Sequence, residues 1–183
     1  MDRRGKPKKS IRRVVLGWVL MIVLLLLVIF ALIVFTSQRE EVKDRAMYPA
    51  MQEDDVLAVD RLRYRFFNPR RYDIVIFPSR YEAGVSYIRR IIGLPGETAR
   101  IVDGKVYING IVLDSDTWGM EPIAQAGAAY GTITLGADEY FVLGDNRNAC
   151  SDSREPSIGN IRRDELTGVV LMRIWPLTRI SLL

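Results

Sequence analysis

With 183 residues, 49% of them hydrophobic and 26% charged, the chain holds enough apolar material for one packed domain plus an anchor, which excludes wholesale disorder. It contains no histidine, so Ser-His-Asp and Cys-His catalysis and imidazole-built zinc sites are excluded, and a hydrolase would need a Ser-Lys dyad or a carboxylate pair. The net charge of +4 is local: residues 1–13 hold seven basic side chains against Asp2, the remainder is near −2, and no nucleic-acid partner is expected for the folded part.

Residues 1–13 are expected to be a cytoplasmic basic tail that holds anionic lipid headgroups. Residues 14–35 read VVLGWVLMIVLLLLVIFALIVF, with no charge. At about 1.5 Å per residue this run can cross a hydrocarbon core of about 30 Å. Arg12 and Arg13 precede it and Arg39, Glu40 and Glu41 follow, so the N-terminal side is expected inside and residues 36–183 outside the cell membrane. A cleaved signal peptide fits less well, because the run is long and no small-x-small site follows it. Trp18 reads as an interfacial anchor.

Beyond Gln38 the helical period fades. Strands are predicted at 56–59, 73–77, 87–92, 106–108, 111–113, 132–135, 139–143 and 168–174, all short and rich in β-branched residues. Asn68-Pro69, Leu94-Pro95-Gly96 and Gly136 separate them. Asp103-Gly104 and Asn109-Gly110 suit the positive φ of two-residue hairpins, so 99–113 is expected to be a small meander. The fold class is therefore mainly β, antiparallel, with one N-terminal transmembrane helix. Residues 115–131 break the pattern and are expected to form a solvated loop. Asp114-Ser115-Asp116 with Gly119 has half the look of a calcium loop, but Trp118 takes a ligand place and Gln125 the place of the closing glutamate. No metal and no cofactor are expected. Trp175-Pro176 is expected to end the last strand and rest at the lipid surface.

Six segments carry a family resemblance in matching order and spacing: AMYPAM, RYDIVIFP, YIRRIIGLPGE, DGKVYING, YFVLGDNRNACSDSR and LTGVVLMRIWPLTRI. Together they resemble the type I signal peptidases. The resemblance implies an antiparallel β fold and a Ser-Lys endopeptidase that removes signal peptides from exported preproteins.

Three positions depart from that pattern. Ala46 stands where the family has its serine nucleophile, and a methyl group cannot attack a carbonyl. Arg89 stands where the family has its lysine base, and a guanidinium stays protonated near neutral pH. Cys150 stands where a serine orients that lysine, and a thiol is a weak donor. Around them the resemblance puts Met47, Pro49, Tyr87 and Ile88 near the substrate groove. Arg90, Gly144, Asp145, Asp152, Ser153 and Arg154 fall at structural positions beside the site, Arg90, Asp152 and Arg154 in an ion-pair lattice. Gly93, Gly96 and Gly144 fall where backbone shape demands glycine.

Other residues offer little substitute chemistry. Arg89 beside Cys150 could lower its thiol pKa, but a passive buried cysteine is expected, and as the single cysteine it excludes an internal disulfide. Ser79 and Ser86 flank strands and are expected to face solvent, and Lys43 reads as a solvated juxtamembrane charge. The expected function is a non-catalytic, membrane-anchored protein that binds extended segments of exported preproteins or surface-fibre subunits or assists surface-protein or pilus assembly, with an active paralogue as a further candidate partner. The alternative is an active signal peptidase whose reacting atoms lie elsewhere.

Overall fold

A computed structural model of the protein describes residues 11–36, 38–119 and 121–183. The chain divides after Ser37 into two units. In the first, α1 runs Ile11–Thr36 as a 26-residue helix; its sequence is free of proline and, past Arg12 and Arg13, without charge, so nothing breaks the backbone ladder. Side chains are described for residues 13–28, all of them exposed. Among the residues whose side chains are described, no helix is long and apolar enough to cross a membrane. The expected span of residues 14–35 reaches beyond the described side chains.

The second unit, Gln38–Leu183, is built of short strands. In chain order they are β1 (Gln38–Glu41), β2 (Val56–Asp60), β3 (Ile74–Pro78), β4 (Ser86–Gly93), β5 (Thr98–Val102), β6 (Lys105–Ile108), β7 (Ile111–Val112), β8 (Ile133–Thr134), β9 (Glu139–Leu143), β10 (Ile161–Arg162), β11 (Gly168–Trp175) and β12 (Ser181–Leu182). A one-turn helix, α2 (Arg63–Phe66), follows β2. The larger sheet has the order β1-β2-β11-β3-β4-β9-β10, with β12 added to β11, and the smaller has β7-β6-β5-β8. Every pairing is antiparallel. The fold is mainly β, as the short branched runs predict.

The two hairpins of the smaller sheet form where the sequence marks them. Asp103 and Gly104 have φ of 48° and 75°, Asn109 and Gly110 of 52° and 78°. These values set the register Val102↔Lys105 and Ile108↔Ile111. β3 shows why its run is apolar without alternation. Ile74 and Ile76 face one core with Met47, Met51, Leu57 and Val170. Val75 and Phe77 face another with Ile91, Val142, Ile161 and Leu166. A strand covered on both faces needs apolar residues at every position.

Several elements differ from expectation. β1, QREE, has no apolar residue; it is a strand because it pairs with all of Val56–Val59. β10 and β12 are two residues each and α2 four, too short for any periodicity to show. Residues 115–131 include a 3₁₀ turn at Gly127–Tyr130. Trp175, 53% exposed, ends β11 but not the last strand, because β12 follows it.

Candidate functional site

A cleft of about 600 Å³ opens where the turn after β1, the first half of β4 and the loop after β9 meet. Its walls include Asp44, Ala46, Tyr87, Arg89, Cys150 and Ser151. Ala46 is held by its backbone. Its N–H donates to Asp44 Oδ1 at 3.1 Å and its carbonyl accepts from Asn146 N at 2.9 Å. Gly144 lies against the same point: a Cβ there would stand 2.7 Å from the Ala46 carbonyl and closer still to Cys150 Sγ. Only a glycine lets the two loops close to this distance.

Tyr87 and Arg89 are two apart on β4 and so project from the same face. The Arg89 guanidinium lies 5.1 Å from the Tyr87 ring centre. Arg89 is 1% exposed. Its Nε donates to the Ser151 carbonyl at 2.7 Å, and its Nη1 to the Ile88 carbonyl at 2.6 Å and to Asp44 Oδ2 at 3.2 Å. Arg89 is thus a buried cation that acts as donor in each of these three bonds.

Cys150 does not become the reactive thiol that a neighbouring arginine could create. Its Sγ donates to Asp152 Oδ2 at 3.3 Å. Burial, then the Asp152 charge, push its pKa from about 9 up to about 12, against the weaker pull of Arg89 and Arg154. At pH 8 iodoacetamide should therefore modify Cys150 roughly a thousandfold more slowly than an unperturbed thiol, because the thiolate is the nucleophile. Intact-mass kinetics measure this, and labelling at the rate of a free cysteine would contradict it.

In the cleft wall and behind it lies a set of arginine–carboxylate pairs. Arg90 grips Asp145 through Nε at 2.8 Å and Nη2 at 2.6 Å, and stacks 4.6 Å from the Trp118 ring centre. Burial raises the Asp145 pKa, and Arg90 pulls it back down. Arg154 holds Asp152 through Nε and Nη2, both at 2.8 Å. Ser153 Oγ accepts from Val142 N and Asp152 Oδ2 from Gly144 N. Among the described residues every fully buried side-chain nitrogen and oxygen has a partner. These groups fix the loop after β9.

The structure thus brings Ala46, Tyr87, Arg89, Cys150, Asp152 and Arg154 to one cleft, with Arg90, Asp145 and Ser153 behind it. Met47 and Ile88 do not line it. Both are buried in the core beneath β3, because Ile88 points to the opposite face from Arg89 and Met47 packs with it. Pro49 is exposed and lies outside the cleft wall. Ser86 and Lys43 are exposed and Ser79 half-buried; none of them reaches the cleft. Asp116, expected in solvent, is instead clasped by Arg147 at 2.5 and 2.7 Å, both side chains 5% exposed or less. Among the described residues no group of side chains is arranged to hold a metal ion. Asp44 is the charged cleft residue in contact with Arg89 that sequence reasoning missed. Its place two residues before Ala46 was the one available hint.

The class that this fold and cleft define is that of the signal peptidases: residues 15–175 match the family described as "Signal peptidase, peptidase S26", and the chain belongs to that family. It is 34% identical over 154 residues to "Probable signal peptidase I-2" of Synechocystis sp., covering 81% of this chain and 68% of that one. It is also 34% identical over 157 residues to "Signal peptidase I" of Leptolyngbya laminosa, covering 80% and 73%. A crystal structure of a signal peptidase I from Enterococcus faecalis V583 shows 35% identity and a TM-score of 0.47, covering 56% of this chain and 97% of that one.

Proposed function

We propose that this protein is a membrane-anchored signal-peptidase-like protein that binds extended segments of exported proteins without cutting them. Arg89 carries the reading. A general base must accept a proton, and Arg89 is a buried guanidinium donating to Asp44, Ile88 and Ser151. Ala46 supplies no nucleophile, and loss of one costs about 10⁶ in turnover in a serine protease of another fold.

Peptide binding needs neither group. β4 pairs with β3 from Ser86 to Arg90, but with β9 only from Arg90 onward, so among the described residues Ser86–Arg89 keep an edge free of strand pairing. An extended peptide can add to such an edge through main-chain hydrogen bonds. The family points to exported preproteins as the clients; surface-fibre subunits and an active paralogue are further partners in this reading. Residues 14–35 are the proposed single membrane span, with residues 1–13 inside and 36–183 outside. Leu16, Leu20, Leu24 and Leu27 are each 58–62% exposed, an apolar surface suited to lipid.

The names of the relatives favour a second reading, an active signal peptidase I with serine-type endopeptidase activity. One assay separates the two. Incubated in detergent with a purified preprotein, the unmodified protein is expected to leave it intact over hours. Processing at ordinary enzyme rates, about 1 s⁻¹ or faster, would decide for the active reading.

A further inference from the structure

A guanidinium carries five N–H bonds. In Arg89 three are engaged: Nε with the Ser151 carbonyl, and Nη1 with the Ile88 carbonyl and Asp44 Oδ2. Nη2 has no partner among the described residues, although the side chain is only 2% exposed. Since every fully buried side-chain nitrogen there is bonded, Nη2 must face the cleft that Arg89 lines.

Asp44 is held unlike the buried carboxylates near the cleft. Asp145 and Asp116 each take both ends of an arginine fork at 2.5–2.8 Å, almost fully buried. Asp44 meets Arg89 through one oxygen at 3.2 Å, offers the other to the Ala46 N–H, and is 47% exposed. A single, half-exposed contact is far weaker than a buried fork. Asp44 is a carboxylate resting on a cation that a second carboxylate can share or take over.

The location says what would bring that second carboxylate. Ile91 exchanges backbone bonds with the segment entering β3, so by alternation Ile88 faces the free edge of β4. Arg89 Nη1 is bonded to that Ile88 carbonyl, which seats the guanidinium beside the edge where an extended peptide would lie. We infer that the cleft binds a peptide-borne carboxylate, from a free peptide terminus or an acidic side group, on Nη2 of Arg89, with Asp44 as its built-in competitor. This rests on the reading of the β4 edge as a peptide-binding edge.

The test uses the full-length protein in detergent micelles and fluorescence anisotropy. The probe is an extended labelled peptide ending Ala-Ser-Ala, made as the free acid, as the neutral amide, and as an amide with glutamate last. The free acid or the glutamate peptide should bind about tenfold more tightly than the neutral amide. Whichever charged peptide does so names the source of the carboxylate. Arg89→Gln should reduce the charged peptides to the affinity of the neutral one. Because Arg89 is buried and its loss can disturb folding, Asp44→Asn is the independent arm: it should widen the gap between the charged peptides and the neutral one several-fold. Equal binding of all three peptides would overturn the inference and leave peptide binding standing. Binding of none would overturn both. No gain in Asp44→Asn would overturn the role of Asp44 as competitor.

Discussion

Ala46→Ser combined with Arg89→Lys will remain a poor peptidase, and adding Asp44→Asn will raise its rate of preprotein processing by on the order of 10². A serine at position 46 needs a neutral amine beside it. Lysine gives one at pH 7 only if its pKa falls by about three units, or about 4 kcal/mol. Burial at position 89, where the present side chain is 1% exposed, pushes in that direction. The Asp44 carboxylate, 3.2 Å from the present guanidinium, pushes the other way by stabilising the charged amine. It also occupies the backbone N–H of residue 46. Gel-based processing of a preprotein measures both variants. A double variant as fast as the triple one would show that Asp44 does not hold the charge. A triple variant with no activity, folded by circular dichroism, would show that a serine and a lysine at these positions are not enough for processing.

The second large effect concerns stability. Arg90→Met should lower the unfolding free energy by about 3–5 kcal/mol, because it strands the Asp145 carboxylate in a site where that residue is 1% exposed. In a domain of this size the midpoint of thermal unfolding should fall by on the order of 10 °C. Arg90→Met with Asp145→Leu should recover much of the loss, since two apolar groups leave no buried charge without a partner. Additive losses in the two single variants and the double one would show that the pair is not coupled. The pair is a support, so neither single variant need alter peptide binding at a temperature where it is folded.

What could be read from the sequence was what short-range physics decides. Asp103-Gly104 and Asn109-Gly110 determine their own backbone angles, and both hairpins follow from them. β9, EYFVL, matches its predicted limits, because four of its five residues are apolar and glycines or polar residues bound it. β1 was illegible: QREE has no local reason to be extended, and only its alignment with Val56–Val59 makes it so. The site divides in the same way. Ala46, Arg89 and Cys150 were visible because motifs mark them. Their surroundings were not, because Asp44 meets Arg89 across 45 positions of sequence and Asp116 meets Arg147 across 31. Nothing local to Asp116 tells whether it will meet water or a guanidinium. Met47 lies beside Ala46 in the chain, yet it packs into the core and not into the cleft wall, and its place in the sequence does not tell which.

β1 has one more consequence. It closes one side of the larger sheet, and its outer rim of unpaired amides and carbonyls would be a template for strand-to-strand polymerisation between copies of the domain. Arg39, Glu40 and Glu41 sit on that rim, with Glu40 tied to Arg61 at 2.5 Å. Two such rims brought together would have to strip water from a dense row of ions, so the strand that no apolar pattern announces also keeps neighbouring molecules from zipping into fibrils.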